Sequence, residues 1–425
     1  EEWMQKRSKN NSLNAPISVY EMHLGSWLRY GENPKQFLNY RDVAKKLVPY
    51  ILEMGFTHVE FMPVMEYPYD PSWGYQITGF FAATSRFGSP QDLMFLINEL
   101  HRNDIGVILD WVPSHFPGDA NGLHKFDGSY LYEHEDPRKG FHPDWKSYIF
   151  NYGRNEVKSF LISNAMFWLD RYHVDGLRVD AVTSMLHLDY SRNEGEWEPN
   201  ILGGNVNLEA KIFLQEFNTA VYKEFGESIM TIAEESSDFP MLTKPVHDGG
   251  VGFGMKWMMG WMHDTLKYFK EDPINRKHFH HKLTFASMYM FNENYMMPLS
   301  HDEVVHGKSS LIYKMVGDEW QKFANLRALY VYMFTHPGAK LLFMGDEFGQ
   351  TSEWNFKQSL DWHLLEYPIH KGLQTLVKDL NHLYKNETGF YENQFNPNGF
   401  EWVEADDKDN SVFIYSRKGK KQDDV

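Results

Sequence analysis

Gly176-Leu177-Arg178-Val179-Asp180-Ala181-Val182 is the stretch that decides the fold. Side chains of a strand alternate between its faces, so Arg178 and Asp180 point one way while Leu177 and Val179 point the other. An apolar face toward helices and a charged face toward an interior belong at the C-terminal end of a strand in a parallel barrel. Three more segments place an acid or a histidine at a strand end: Asp110-Trp-Val-Pro-Ser-His115-Phe, Thr231-Ile-Ala-Glu234-Glu-Ser and Pro298-Leu-Ser-His301-Asp302-Glu. The pattern predicts that the carboxylates of Asp180, Glu234 and Asp302, with two histidines and one arginine, converge at one barrel mouth.

Working outward, short β-rich runs alternate with helical patterns from Pro16 onward. The candidate strands are Ser18–Leu24, His58–Val64, Gly106–Val112, Gly176–Val182, Met230–Glu235, Val251–Lys256, Tyr295–Ser300 and Lys340–Gly345. Eight strands alternating with helices predict an α/β protein, a (β/α)8 barrel of the TIM type. Ser89-Pro90 supplies an N-cap followed by proline at the first helical position. Val157, Phe160, Leu161, Asn164, Phe167, Trp168 and Tyr172 fall near helical spacing within 155–173. His336-Pro337-Gly338 ends a helix over 319–335. Residues 1–15 are polar and read as a tail or linker, 16–395 as the barrel, and 396–425 as the start of a C-terminal β domain. The long connection 113–152 after strand three is rich in Gly, Pro, His and Asp, which predicts a lid or small subdomain. A second excursion, 183–207, follows strand four.

The 425 residues suit one large barrel with an appendage. The chain begins at Glu1 without an initiator methionine and stops after the charged stretch Lys418–Asp424, as expected of a piece of a longer protein. A net charge of −16 argues against nucleic acid and anionic membranes, which reward a basic face. No apolar run approaches the roughly 20 residues of a membrane span, and no signal-peptide pattern opens the chain. Zero cysteine excludes disulfides and thiolate chemistry and fits a cytoplasmic setting. Aromatics reach 16%, most of them core, with a minority available as flat platforms for sugars.

Each site residue has a plain structural reading beside the chemical one. Arg178 and Asp180 form either an ion pair closing the barrel or an ionised nucleophile, with Arg178 expected to lower the acid's pKa. Glu234 ends an apolar strand, so its pKa should rise and keep it protonated as a general acid; Glu235 should point to the other side. Asp302 is a third acid, suited to sugar hydroxyls and a distorted ring. His115 and His301 sit at matching strand ends beside acids, which favours sugar binding over lone polar residues. Tyr75, in Ser72-Trp-Gly-Tyr75-Gln, offers a stacking ring or ordinary core packing, and Trp73 has the same two readings. Weaker signals fail. Gly307-Lys308-Ser309 lacks the first glycine of a phosphate loop, where Asp302 stands. Gly250-Val-Gly-Phe-Gly254 lacks dinucleotide spacing. His278-Phe-His280-His281 has no acid in metal-ligand spacing and reads as a polar helix face. Asn386-Glu-Thr388 matches a glycosylation acceptor and means little without a secretory signal.

The four segments, in this order, resemble the four conserved regions of the α-amylase family of glycoside hydrolases. His301-Asp-Glu-Val-Val-His-Gly-Lys308, Ala233-Glu-Glu-Ser-Ser-Asp-Phe-Pro240, Arg178-Val-Asp-Ala-Val-Thr-Ser-Met185, Asp189-Tyr-Ser-Arg-Asn-Glu-Gly-Glu-Trp197 and Ser359-Leu-Asp-Trp-His363 resemble the bacterial 1,4-α-glucan branching enzymes within it. The likeness runs from about Ala15 to Val403. It implies that Asp180 is the nucleophile, Glu234 the general acid/base and Asp302 the transition-state stabiliser. Tyr75, Asp110, His115, Arg178 and His301 would surround the sugar. It also implies retention, with the two carboxyl groups roughly 5–5.5 Å apart, and an α-1,4-glucan (amylose, amylopectin or glycogen) as donor and acceptor of a chain moved to a 6-hydroxyl. An α-amylase-like hydrolase and a silent glucan-binding barrel are the alternatives. Calcium-binding relatives carry Asn where this chain has Ser114, so no calcium, other metal or cofactor is expected. A monomer is expected.

Overall fold

The computed structural model describes residues 2–31 and 35–420. Eight parallel strands close into a barrel: β1 (Ser18–Met22), β2 (His58–Phe61), β3 (Gly106–Trp111), β4 (Gly176–Val179), β5 (Met230–Ala233), β6 (Met255–Trp257), β7 (Tyr295–Leu299) and β8 (Ala339–Phe343), with β8 pairing back to β1. All eight expected strands are present. The sixth is displaced. Val251 and Phe253 donate backbone bonds to Met241 and Leu242 instead of pairing in the barrel, and Gly252 turns at φ 90°.

Helices α1 (Glu2–Asn10), α2 (Tyr40–Met54), α3 (Pro90–His101), α4 (Asn155–Arg171), α5 (Leu208–Phe225), α6 (Met259–Lys270), α7 (Glu319–Thr335) and α8 (Pro368–Asn386) are the longer ones. Local sequence explains their ends. Ser89 and Asp92 form a reciprocal capping box ahead of α3, and Asp318 and Gln321 do the same for α7. In α2, Asn39 accepts from the Asp42 N–H and Gly55 terminates the helix at φ 79°, where a side chain would be strained. Val43, Leu47, Ile51 and Met54 bury the inner stripe of α2 against the barrel. No helix among the described residues is long and apolar enough to cross a membrane.

Two cores result. Ile108, Met230, Ile232, Trp257, Met296 and Leu341 fill the barrel interior. A larger shell packs between strands and helices. The ring of helices has one gap: the connection from β5 to β6 holds only a 3-10 turn at Val246–Asp248.

The first fifteen residues are not a simple tail. Trp3 and Arg7, one helical turn apart on α1, are buried, and the Trp3 indole N–H donates to Asp175 at 2.8 Å. The connection 113–152 forms a small subdomain, an antiparallel sheet of His115–Phe116, Phe141–His142 and Ser147–Ile149. Near the C-terminus, β9 (Phe400–Glu404) and β10 (Ile414–Arg417) pair antiparallel, consistent with a β segment. His280 anchors it, stacking on Phe413 at 4.0 Å with Nε2 at 2.8 Å from the Ala405 carbonyl. The part of 396–425 past Lys420 lies outside the described residues.

Candidate active site

The C-terminal ends of the strands open into a cleft of about 470 Å³. Tyr75, His115, Asp180, Glu234, His301 and Asp302 all line it. Asp110 and Arg178 lie just beneath. Barrel register explains the pairing: Asp110 on β3 stands opposite Arg178 on β4. Arg178 Nη1 donates to Asp110 at 2.7 Å and to Asp180 at 2.6 Å, and Nη2 lies 3.9 Å from Glu234. One buried guanidinium thus touches three carboxylates. The Trp257 ring packs on its face, 4.4 Å from the ring centre.

Backbone geometry ties Asp180 to Glu234. Asp180 N–H donates to the Trp111 carbonyl, and Glu234 N–H to the Val179 carbonyl at 3.0 Å. Ala181 adopts φ 54°, a left-handed conformation that is uncommon for a residue with a Cβ. There its N–H donates to Glu234 Oε2 at 2.7 Å, and the Val182 N–H donates to the Glu234 carbonyl. Glu235, one residue on, faces the other side as alternation requires and pairs with buried Lys256 at 2.6 Å.

Electrostatics separates the acids. Burial pushes Glu234 up to about 7, against Arg178 and with help from Asp180 and Asp302. Asp180 was expected to fall; it rises instead, because burial outweighs Arg178 and Asp302 adds repulsion. Asp302 has a side chain 43% exposed. Burial pushes it up, but the positive charges of His301 and Arg178 outweigh this and hold it below its ordinary range. Burial also drives Asp110 up to about 7 despite Arg178.

The histidines differ. Burial lowers His115 to about 4, so its ring is neutral; Nε2 lies 3.9 Å from Asp180 Oδ2. His301 meets burial that would lower it, but Asp302 and Glu21 outweigh that and raise it to about 9. Its ring stacks against Tyr75 with centres 5.6 Å apart. The Tyr75 hydroxyl donates to Asp110, so this ring is both a wall of the cleft and a fixed donor beneath it.

Sequence reasoning passed over several neighbours. Glu21 on β1 accepts from His301 Nδ1 at 2.6 Å and from its backbone N–H at 3.0 Å. Glu60 on β2 is fully buried, and neither carboxyl oxygen has a partner among the described residues; burial, Glu21 and Asp110 hold it well above the usual range. Both acids carried the signal used elsewhere, an acid inside a strand. Trp145 and Tyr190 reach the cleft from the 113–152 subdomain and the 183–207 excursion. Trp73 stacks on His306 at 5.2 Å, and both residues hold left-handed backbones. Gly307 and Ser309 donate backbone N–H groups to Glu353, a structural use of that glycine-lysine-serine turn. No cluster of three His, Asp or Glu side chains suited to a metal occurs among the described residues.

Comparison with known proteins places this geometry. The chain is 62% identical to the 1,4-alpha-glucan branching enzyme GlgB of Aquifex aeolicus over 99% of its length. It is 59% identical to that of Albidiferax ferrireducens over 98%, and 56% identical to that of Rubrobacter xylanophilus over 100%. It spans 66%, 66% and 58% of those three relatives, less than two thirds of their length. The alpha-amylase of Geobacillus thermoleovorans, solved with acarbose, shares the fold at a TM-score of 0.69 and 17% identity, over 96% of this chain and 85% of that one. An Anoxybacillus alpha-amylase superposes equally well, also with a TM-score of 0.69, at 18% identity over 96% of this chain and 85% of that one. The family profile described as alpha amylase, catalytic domain, matches residues 33–148 and 124–408. With most of its length inside that profile, the chain belongs to the α-amylase family.

Proposed function

We propose that this chain is the catalytic part of a 1,4-α-glucan branching enzyme, working in the cytoplasm as a monomer on α-1,4-glucans. The observation that carries the reading is the identity of 56–62% over nearly the whole chain to relatives that bear that name. The site's chemistry agrees. Asp180, oriented by its hydrogen bond from Arg178, attacks as the carboxylate on the anomeric carbon of an internal α-1,4 linkage. Glu234, with a pKa near 7, carries the proton that the leaving 4-oxygen needs. The product is a glucan ester of Asp180 with inverted configuration at the anomeric carbon. Glu234, now ionised, takes the proton from an acceptor 6-hydroxyl as that oxygen displaces the Asp180 carboxylate. The second inversion restores the α configuration and leaves an α-1,6 branch.

Asp302 and the charged His301 flank the sugar. A carboxylate kept ionised here stabilises the positive charge that builds on the ring as the bond loosens, and His301 donates to a hydroxyl. Tyr75 supplies a flat face. Calcium has no part in this reading, and exhaustive chelation is expected to leave the rate unchanged; loss of activity restored by Ca²⁺ refutes that point.

Proton NMR of amylose during incubation tests the whole. α-1,6 anomeric signals growing with few new reducing ends support transfer. Reducing ends without α-1,6 signals make the protein a hydrolase. Glucan binding with no bond rearrangement makes it a silent binding barrel.

A further inference from the structure

The β5–β6 connection, α6 and the segment ahead of β7 enclose a hollow where the ring of helices is interrupted. This is a second cavity of about 710 Å³ on the barrel's flank, which meets the active cleft at Ser236, a residue lining both. The buried Glu235–Lys256 pair lies on its inner side, and Lys256 also donates to the Ser237 carbonyl at 2.9 Å. Phe239 forms one wall. Phe285 and Tyr289, edge to face at 5.9 Å, form another. Phe285 is 54% exposed, so its ring face is open to a ligand in the groove. Asp264 and Asn292 sit beside these rings. Aromatic faces next to carboxyl and amide groups suit a sugar, whose C–H face is apolar and whose rim is hydroxylated.

We infer that this flank groove holds the acceptor glucan chain during transfer, an inference that rests on the branching reading above. Glu234 acts first on the departing 4-oxygen and then on the incoming 6-hydroxyl, so the acceptor approaches from the Glu234 side of the bound sugar. The groove opens two residues past Glu234, on that side. A hydrolase needs only water there. A branching reaction needs a second chain, presented by its middle rather than its end, and a groove bordering the cleft at Ser236 offers such a chain a place to lie. In the step itself, the bond from the Asp180 carboxyl oxygen to the anomeric carbon breaks. The bond from that carbon to the acceptor O6 forms, and the O6 proton moves to Glu234.

Phe285→Ala and Tyr289→Ala test the groove in the full chain, assayed by NMR on amylose with added reduced maltodextrin as acceptor. The expected result is a fall of about tenfold in α-1,6 bonds formed per reducing end released, with a matching rise in apparent KM for the added acceptor. Phe285 is more than half exposed, so its truncation spares the fold, and a melting curve verifies this. A branching wild type alongside folded variants with unchanged ratio overturns the groove alone. A wild type that makes no α-1,6 bonds overturns the branching reading, and the groove with it.

Discussion

Glu21 holds His301 at two points, accepting from Nδ1 at 2.6 Å and from the backbone N–H at 3.0 Å, with both side chains buried. The pair fixes the ring's orientation, with Nδ1 on Glu21 and Nε2 toward Asp302 at 3.4 Å, and it keeps the ring charged.

Replacing Glu21 with Gln removes the charge but keeps an acceptor. The His301 pKa is expected to drop from about 9 toward or below its ordinary 6.5. The stabilising effect of a raised histidine is complete below the unfolded value and disappears as pH climbs through the folded one. The wild type should therefore lose its advantage over Glu21→Gln between about pH 6.5 and 9. Denaturant titrations of both proteins at pH 6 and 9.5 measure this; a gap that does not shrink with pH refutes it.

On the proposed mechanism, Glu234 carries a proton for cleavage. With its pKa near 7, kcat/KM is expected to fall above neutrality on a natural glucan. A glycosyl fluoride donor, whose leaving group needs no acid, should lose that alkaline limb. Stability adds an independent readout. A carboxyl with a raised folded pKa lowers stability as pH rises from the unfolded to the folded value. Glu234→Gln should therefore raise the melting temperature more at pH 8 than at pH 4, and an equal gain at both would count against the assignment.

Asp180→Asn is isosteric and keeps a group near Arg178, but it forms no ester. Turnover should drop at least about a thousandfold, as when other covalent nucleophiles are removed, while melting stays cooperative. Substantial residual branching in a preparation free of wild type would mean that another group attacks.

Trp3 tests α1. Truncating a buried tryptophan costs about 3–5 kcal/mol, and here it also removes one of the groups satisfying Asp175, which accepts from the Val107 N–H and contacts His101 as well. A Trp3→Ala midpoint in urea indistinguishable from wild type would show that α1 rests on the barrel without supporting it.

The barrel was legible because eight strand-like runs alternate with helical patterns, and four of those runs end in an acid or histidine. The eight chosen site residues lie in or beneath one cleft for the same reason. Other features were hidden for identifiable causes. In α1 only Trp3 is a large buried apolar residue, so no stripe marked the helix. The sixth strand was misplaced because apolar residues 251–254 look strand-like, yet they return along 241–244 through left-handed Gly252. Pairing with Arg178 suggested a lowered Asp180; only the full count of nearby carboxylates and the depth of burial reverses that sign. Glu21 and Glu60 were readable as acids in strands but had no motif around them.

The left-handed turn at Ala181, which places a backbone N–H against Glu234, has a consequence for how such proteins diversify. Asp180 and Glu234, to which the proposal gives attack and proton transfer, are joined through main chain, not through the long loops. On the proposed mechanism, changes in the 113–152 subdomain or in the outer part of the 183–207 excursion would alter the walls of the cleft without touching the main-chain links that set the spacing of that pair.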